Sequence, residues 1–167
     1  MTPRSLLWAV AFLAAATPAL ADQPLPPPAQ YFFITESRVH VTGVLARDVV
    51  RIEPVSGIED TWEIPGWRRN VHPSEDGQYV LVGNPGLNLL EGEPTPERTV
   101  MEVWAAPGEL LGTVPLGTLM DPADLEPAAS HHRWIAGYQW TGTGWRFLTP
   151  DGQFWHLSPN PLRLIRE

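Results

Sequence analysis

Glycine and proline interrupt this chain so often that a long helix has no room to form. Fourteen glycines and 17 of the 19 prolines lie after residue 21, and no stretch keeps the 3.6-residue apolar periodicity of an amphipathic helix. Between these breaks stand short runs rich in Val, Ile, Thr and aromatic residues, which favour strands. The pattern predicts an all-β fold of short antiparallel strands joined by tight turns.

The N-terminus has the organisation of an export signal. Arg4 precedes an apolar segment over residues 6–16, Pro18 interrupts it, and residues 19–21 give a small-x-small cleavage site. The apolar segment is shorter than the roughly 20 residues needed to span a bilayer. The sequence therefore predicts a signal peptide over 1–21 that is cleaved after Ala21. We expect a bacterial periplasmic or secreted protein with no retained membrane anchor.

The part that follows the signal is predicted to hold one domain. Residues 22–30 include four prolines, which lack the N–H that helices and strand ladders need. They predict an extended, polyproline-like leader that holds the domain away from its N-terminus. Residues 31–167 have the length of a single all-β domain with a sizeable core.

Composition excludes several kinds of partner and chemistry. After residue 21 the chain has ten arginines, no lysine and 19 acidic residues, a formal net charge of about −9. Nucleic acids and anionic membranes are bound by clustered positive charge, so we expect no nucleic-acid partner. The chain has no cysteine, which excludes disulfides, iron–sulfur clusters and thiol chemistry.

The C-terminal third predicts a meander most clearly. Strands are expected over 133–140, 145–149 and 153–158, with a further edge strand over 162–166. Upstream, strands are expected over 31–35, 38–42, 49–52, 61–64, 78–83, 99–104 and 110–116. Two long polar connections, 84–98 and 117–132, predict solvated loops. The second loop is expected to hold one helical turn, capped by Asp121.

Three segments between residues 72 and 116 follow one another in a recognisable order. They are the Pro-Ser-Glu-Asp-Gly turn over 73–77, the strand that ends in Trp104, and the turn at Gly108 before the next strand. This order resembles one blade of a WD-repeat or quinoprotein-like β-propeller. In this chain Ala105 replaces the Asp expected after the Trp, no Gly-His pair precedes the blade, and residues 84–98 are an insertion.

The resemblance implies four-stranded antiparallel units, and the Pro-Asp-Gly turn over 150–152 repeats part of it. A blade takes roughly 40–45 residues, so residues 22–167 would make about three blades. Closed propellers typically have at least four blades. The sequence therefore leaves two architectures open: about three propeller-like blades, or a β-sandwich or open barrel.

Trp67 is the best candidate for a contact residue. It follows Pro65 and Gly66 in a predicted turn, and Arg68 and Arg69 come directly after it. An indole in a turn is expected to be exposed, with a guanidinium group on its face. We therefore predict a binding site at Trp67, Arg68 and Arg69.

Three further tryptophans form a second candidate group. Trp134 and Trp140 are six residues apart on one expected strand and hence on one face, and Trp145 faces that strand across the turn. Such clusters usually pack in the core. As an exposed group they would instead form a platform on which a sugar ring could stack.

The remaining polar residues give no catalytic set. His131 and His132 are expected in a polar loop before the strand at 133, and no metal site is predicted, since scattered or adjacent histidines lack the usual ligand spacing. Acidic pairs fall in turns, no serine lies in a nucleophile motif, and no phosphate-binding loop is present. The sequence predicts no catalytic residue and no cofactor.

These observations lead to two hypotheses about function. The first is an exported, non-enzymatic β-domain that acts as an interaction module. It would contact a protein partner, or a second copy of itself, through sheet edges or the loops 84–98 and 117–132. The alternative is a carbohydrate- or small-ligand-binding module that uses exposed tryptophans.

Overall fold

A computed structural model describes residues 26–84, 89–127 and 131–167. The signal peptide predicted over 1–21 and the first part of the leader lie outside the described residues. Among the residues that are described, no helix has the length and apolar character needed to cross a membrane.

Strands and turns make up most of the described residues, which confirms the all-β prediction. The strands, in chain order, are β1 (Tyr31–Ile34), β2 (His40–Val44), β3 (Val49–Glu53), β4 (Trp62–Pro65), β5 (Val71–Pro73), β6 (Tyr79–Gly83), β7 (Leu89–Glu91), β8 (Thr99–Ala105), β9 (Glu109–Pro115), β10 (Glu126–Pro127), β11 (His131–Arg133), β12 (Gly137–Trp140), β13 (Trp145–Leu148), β14 (Phe154–Pro159) and β15 (Leu162–Arg166). Helical structure in the described residues is short: α1 (Leu116–Leu119) and the 3-10 turns Leu45–Arg47, Ile58–Asp60 and Pro122–Asp124.

The described strands form four antiparallel sheets, none of which closes into a barrel. Sheet A has the order β1-β2-β3-β4, sheet B the order β5-β6-β8-β9, and sheet C the order β12-β13-β14-β15. The small sheet D has the order β10-β11-β7. Sheets A and C are meanders because short connections join consecutive antiparallel strands. The three larger sheets contain four strands each.

Sheet B packs between sheets A and C. In β2 and β3, buried and partly exposed residues alternate, as expected when one face of a sheet is covered. In β6, by contrast, residues 80–82 are all buried, so both faces of sheet B are covered. Val80 and Val82 join a core cluster with sheet A, whereas Leu81 joins a cluster with sheets C and D.

The Asp-Gly turn predicted before residue 78 joins β5 to β6. Gly77 has a φ of +74°, and an added Cβ would lie 2.9 Å from Pro54 Cα, so a side chain has no room there. Ser74 Oγ donates a hydrogen bond to Asp76 Oδ1 at 2.6 Å. Trp62 Nε1 donates to the Gly77 carbonyl at 3.0 Å, which fixes the turn against sheet A.

The second Asp-Gly turn has the same chemistry but a different place in its sheet. Thr149 Oγ1 donates to Asp151 Oδ1 at 2.6 Å, and Gly152 has a φ of +80°. This turn joins the second and third strands of sheet C, whereas the first one joins the first two strands of sheet B. The repeated turn therefore does not mark a repeated position.

The prediction of one continuous strand over 133–140 is wrong, because these residues belong to two strands with a break between them. β11 ends at Arg133 and β12 begins at Gly137. Trp134 and Ile135 are consecutive and are only 1% and 4% exposed, both in one core cluster. Neighbouring side chains of a strand point to opposite faces, so the chain leaves the strand in order to bury both. Trp134 and Trp140 therefore do not share a strand.

The described parts of 84–98 and 117–132 contact each other, so the prediction of two solvated loops is wrong for these parts. β7 from the first segment pairs with β11 from the second, and the Gly117 N–H donates to the Pro96 carbonyl at 2.8 Å. Leu90, Leu119 and Leu125 are buried in the core cluster with sheet C. The Glu, Pro and Gly residues around these leucines hide their core role in the sequence.

The helical turn predicted after Asp121 is confirmed as the 3-10 turn Pro122–Asp124. The Asp121 carboxylate accepts a hydrogen bond from the Ala123 N–H at 2.9 Å. Pro122 takes the first position, where a backbone N–H has no helical partner.

Candidate functional site

The turn 66–69 follows β4 and carries the first group of predicted contact residues. Gly66 has a φ of +80°, which glycine adopts without strain. Its N–H donates to the Asp48 carbonyl at 2.7 Å, and the Trp67 N–H donates to the Asp48 carboxylate at 2.7 Å. Asp48 lies between β2 and β3, so two neighbouring turns of sheet A hold each other in place.

The Trp67 side chain is partly buried because cationic and aromatic neighbours flank its ring. The Arg69 guanidinium carbon lies 5.2 Å from the ring centroid, a cation–π distance. Tyr31 of β1 packs edge-on against the indole at 5.9 Å, and its hydroxyl donates to the Arg68 carbonyl at 2.7 Å. Burial raises the pKa of Tyr31 to about 12, so the phenol remains a hydrogen-bond donor at neutral pH.

The described part of the proline-rich leader, residues 26–30, lies against this turn. Trp67 Nε1 donates to the Ala29 carbonyl at 3.0 Å, and Arg69 Nη2 donates to the Pro26 carbonyl. Residues 26–30 are exposed and belong to no strand, and residue 31 begins β1 directly. The described part of the leader is therefore bound to the domain, whereas the sequence predicted a spacer that stands away from it.

Arg68 connects the turn to sheet B. Its Nη2 lies 3.5 Å from Glu102 Oε2, and Trp104 Nε1 donates to the same oxygen at 3.0 Å. Beside this ion pair lies a cavity of about 150 Å³, whose lining includes Trp67 and Met101. This volume is below the roughly 300 Å³ at which small-molecule pockets begin. Arg68 thus serves contact between sheets rather than the outer surface of the turn.

The other three predicted tryptophans lie in or against the core. Trp134 and Trp145 are each 1% exposed, and Trp140 packs partly buried on the same cluster. The rings of Trp140 and Trp145 meet edge-to-face at 4.9 Å, across a direct pair of β12 and β13. Trp145 therefore faces Trp140 as predicted. Burial of Trp134 and Trp145 leaves no platform of three exposed indoles.

The histidine pair lies in a strand, so the loop predicted for it is wrong. His131 and His132 are the first two residues of β11 and pair with β7. As adjacent strand residues they direct their side chains to opposite faces. Within residues 26–84, 89–127 and 131–167, no group of three His, Asp or Glu is placed to hold a metal ion.

Strand β1 forms an exposed apolar edge whose residues the sequence did not single out. Phe32 is 59% exposed, Phe33 36% and Ile34 51%. Within the described residues β1 pairs only with β2. Phe33 pairs with Val41, a core residue, so Phe32 and Ile34 lie on the outer face of sheet A. The sequence feature that indicates such an edge is a first strand that is aromatic and carries no charge.

A groove continues this apolar surface on sheet A. Its volume is about 350 Å³, and it is lined by Arg38, His40, Glu53, Pro54, Val55, Gly57 and Ile58. Val55 and Ile58 are 53% and 67% exposed. His40 contacts the Phe32 ring edge-on at 5.8 Å and pairs with Ile34. We call Phe32, Ile34, Val55 and Ile58, which are grouped around His40, the β1 patch.

Comparisons of the chain with models of protein families, with curated proteins and with solved structures found no match. Of the predicted contact residues, Trp67 and Arg69 contact the leader, whereas Arg68 forms an ion pair with Glu102 of sheet B. The turn 66–69 and the β1 patch are both features of sheet A. Sheet A therefore carries the candidate functional surfaces.

Proposed function

We propose that this chain is an exported, non-enzymatic interaction module that binds a protein partner, or a second copy of itself, along the free edge of β1. The exposed apolar character of that edge carries the proposal. An edge strand has N–H and C=O groups that its single neighbour does not use, and an extended segment can pair with them. Alternate side chains of such a segment would lie on Phe32 and Ile34.

The other described sheet edges offer less favourable pairing surfaces. β1 contains no charged residue, proline or glycine, the residue types that commonly protect an edge strand. The edge strand β15 of sheet C carries Arg163 and Arg166, and the edge strand β5 of sheet B contains Pro73. These differences favour β1 as the docking edge.

We further propose that sheet B is a propeller-like blade. Its strands follow the order that the resemblance implies: the Asp-Gly turn joins the first two, Trp104 stands near the end of the third, and Gly108 precedes the fourth. Core clusters on both faces of sheet B are compatible with a blade between two neighbours. In this arrangement the outer face of sheet A is left for a partner.

The carbohydrate-binding alternative has less support from the geometry. Trp134 and Trp145 are buried, and the ring of Trp67 is flanked by Arg69 and Tyr31. A pyranose ring stacks on an exposed aromatic face, which these side chains do not offer together.

Two isoleucines provide a matched test of the β1 edge. Ile34 of β1 and Ile165 of β15 are each 51% exposed and each lie on an edge strand. We expect Ile34→Lys to weaken association by ~10-fold or more, because a charge on the edge opposes strand pairing. Ile165→Lys should leave association unchanged. Sedimentation velocity over a concentration series measures self-association, and quantitative capture from periplasmic extract measures binding of a partner.

Two outcomes would contradict the proposal. One is a chain that stays monomeric at its solubility limit and also retains no partner from the extract. The other is an equal loss of association in both lysine variants, since that would assign the effect to surface charge and not to β1.

A further inference from the structure

We propose that the turn 66–69 is a binding site for proline-rich peptides, which the chain's own residues 26–30 occupy in this structure. The ligand class is an extended proline-rich segment that presents two backbone carbonyls three residues apart. The site uses Trp67 and Arg69 and not the unpaired edge of β1. It therefore goes beyond the function proposed above, and its test does not depend on that function.

The spacing of the two bound carbonyls defines the ligand geometry. Trp67 binds the carbonyl of Ala29 and Arg69 binds that of Pro26. A polyproline II helix has three residues per turn and a rise of about 3.1 Å per residue. Carbonyls three residues apart thus point in the same direction, about 9 Å from each other. Prolines 26–28 favour this helix because each ring fixes φ and keeps the preceding residue extended.

The chemistry of the site matches a proline-rich segment. A polyproline II helix makes no internal hydrogen bonds, so its carbonyls are free to accept, and its prolines have no N–H that needs an acceptor. The Trp67 indole and the Arg69 guanidinium are donors only. A site made of donors selects a backbone that offers acceptors.

The domain holds the site in place through backbone contacts. Asp48 binds the N–H groups of Gly66 and Trp67, both at 2.7 Å. The Tyr31 hydroxyl binds the Arg68 carbonyl at 2.7 Å. A receptor that is already formed, and a ligand that is already stiff, each lose little conformational entropy on binding.

The leader can leave the site without uncovering the core. Residues 26–30 are exposed, and both hydrogen bonds to them lie at the surface. Because the leader is tethered next to the site, its effective concentration is on the order of millimolar. An external peptide has to compete with that concentration, so the test requires a chain with a weakened leader.

The test uses the full chain in which Pro26→Gly, Pro27→Gly and Pro28→Gly make the leader flexible. A synthetic peptide of residues 22–30 is titrated while the NMR signal of the Trp67 indole N–H, assigned by its loss in Trp67→Phe, is followed. The signal is expected to shift and saturate. The unaltered chain should need ~10-fold more peptide, because its own leader competes. A peptide with glycines in place of prolines 26–28 should bind ~10-fold more weakly, because it is not preorganised.

Two phenylalanine variants of the glycine-leader chain provide the control. Trp67→Phe keeps an aromatic ring but removes the donor, and should abolish the saturable shift of the Gly66 and Arg69 backbone amides. Trp140→Phe removes an indole N–H that has no hydrogen-bond partner among the described residues, and should leave binding unchanged. The proposal is overturned by the absence of a saturable shift up to ~10 mM peptide. Binding that survives Trp67→Phe overturns it as well. Equal affinity of the glycine-leader chain and the unaltered chain for the peptide has the same consequence.

Discussion

His72 shows how position in the fold sets the chemistry of a single residue. It lies in β5 of sheet B, where its Nε2 contacts the side-chain oxygen of Asn70. Its ring centroid is 3.9 Å from that of Tyr138 in β12 of sheet C. Burial lowers the pKa of His72 from 6.5 to about 4, so the folded protein holds a neutral imidazole between two sheets.

This lowered pKa predicts a loss of stability in mild acid. Between pH 6.5 and about 4, the unfolded chain binds a proton at His72 and the folded chain does not. Above pH 6.5 the imidazole is neutral in both states, so its protonation costs the folded protein no stability. As the pH falls from 6.5 towards 4, the free energy of unfolding decreases by at most about 1.4 kcal/mol per pH unit. Urea unfolding at pH 7, 6, 5 and 4.5 should show a shallower pH dependence for His72→Gln than for the unaltered chain.

The same substitution at His156 is the control for the pH series. His156 lies between the buried residues Trp155 and Leu157 of β14, so it points away from the core. His156→Gln should keep the pH dependence of the unaltered chain. Identical slopes for His72→Gln and the unaltered chain would show that burial of His72 does not control acid stability.

Single residues of the candidate site were predictable only where local pattern determines them. Pro65 and Gly66 place Trp67 in a turn, and the following arginines predict the cation–π contact that Arg69 makes. The contact between Arg69 and Pro26 joins residues 43 positions apart. No local spacing links two such segments, so the contact between the leader and this turn cannot be predicted from the sequence alone.

The period-two alternation of apolar residues predicts strand positions well where a sheet has one exposed face. β2 and β3 alternate buried and partly exposed residues, and both were predicted within two residues. Sheet D was missed because β7 and β11 are three-residue strands, too short to show alternation. Their pairing also joins two segments that are distant in the sequence.

Leu90 tests whether sheet D belongs to the core. It is fully buried in β7, so Leu90→Ala should lower the free energy of unfolding by about 2–5 kcal/mol through lost burial and a cavity. Leu110 of β9 is 45% exposed, and Leu110→Ala should change the free energy of unfolding by less than about 1 kcal/mol. Urea unfolding at pH 7 measures both. Equal, small losses would mean that residues 84–98 are the solvated loop that their composition suggests.

The order in which sheets A, B and C pack is reflected in the burial patterns of their strands. The run 80–82 in β6 is apolar without interruption and is buried on both faces, as in sheets covered by layers on two sides. The alternating strands of sheet A are buried on one face only. The burial of Trp134 and Ile135 depends on core packing that no periodicity shows.

The export predicted from the N-terminal sequence has a direct measurement. When the chain is expressed with its own N-terminus in a Gram-negative host, the protein recovered from the periplasm should begin at Asp22. Intact mass spectrometry distinguishes this product from the full chain. Replacing Ala19 and Ala21 by arginine should block cleavage, because the cleavage site requires small residues. A cytoplasmic product that retains residue 1 would contradict the prediction.

Tyr31 connects the turn 66–69 to the edge strand β1. It is the first residue of β1, and it touches Trp67 and Arg68 of the neighbouring turn. A molecule that shifts this ring from one side alters the fit on the other. Thermodynamic reciprocity then requires that each occupant change the affinity of the other by the same factor. The binding of one partner would therefore change the affinity of the protein for the other, and mutation of Tyr31 would remove this coupling.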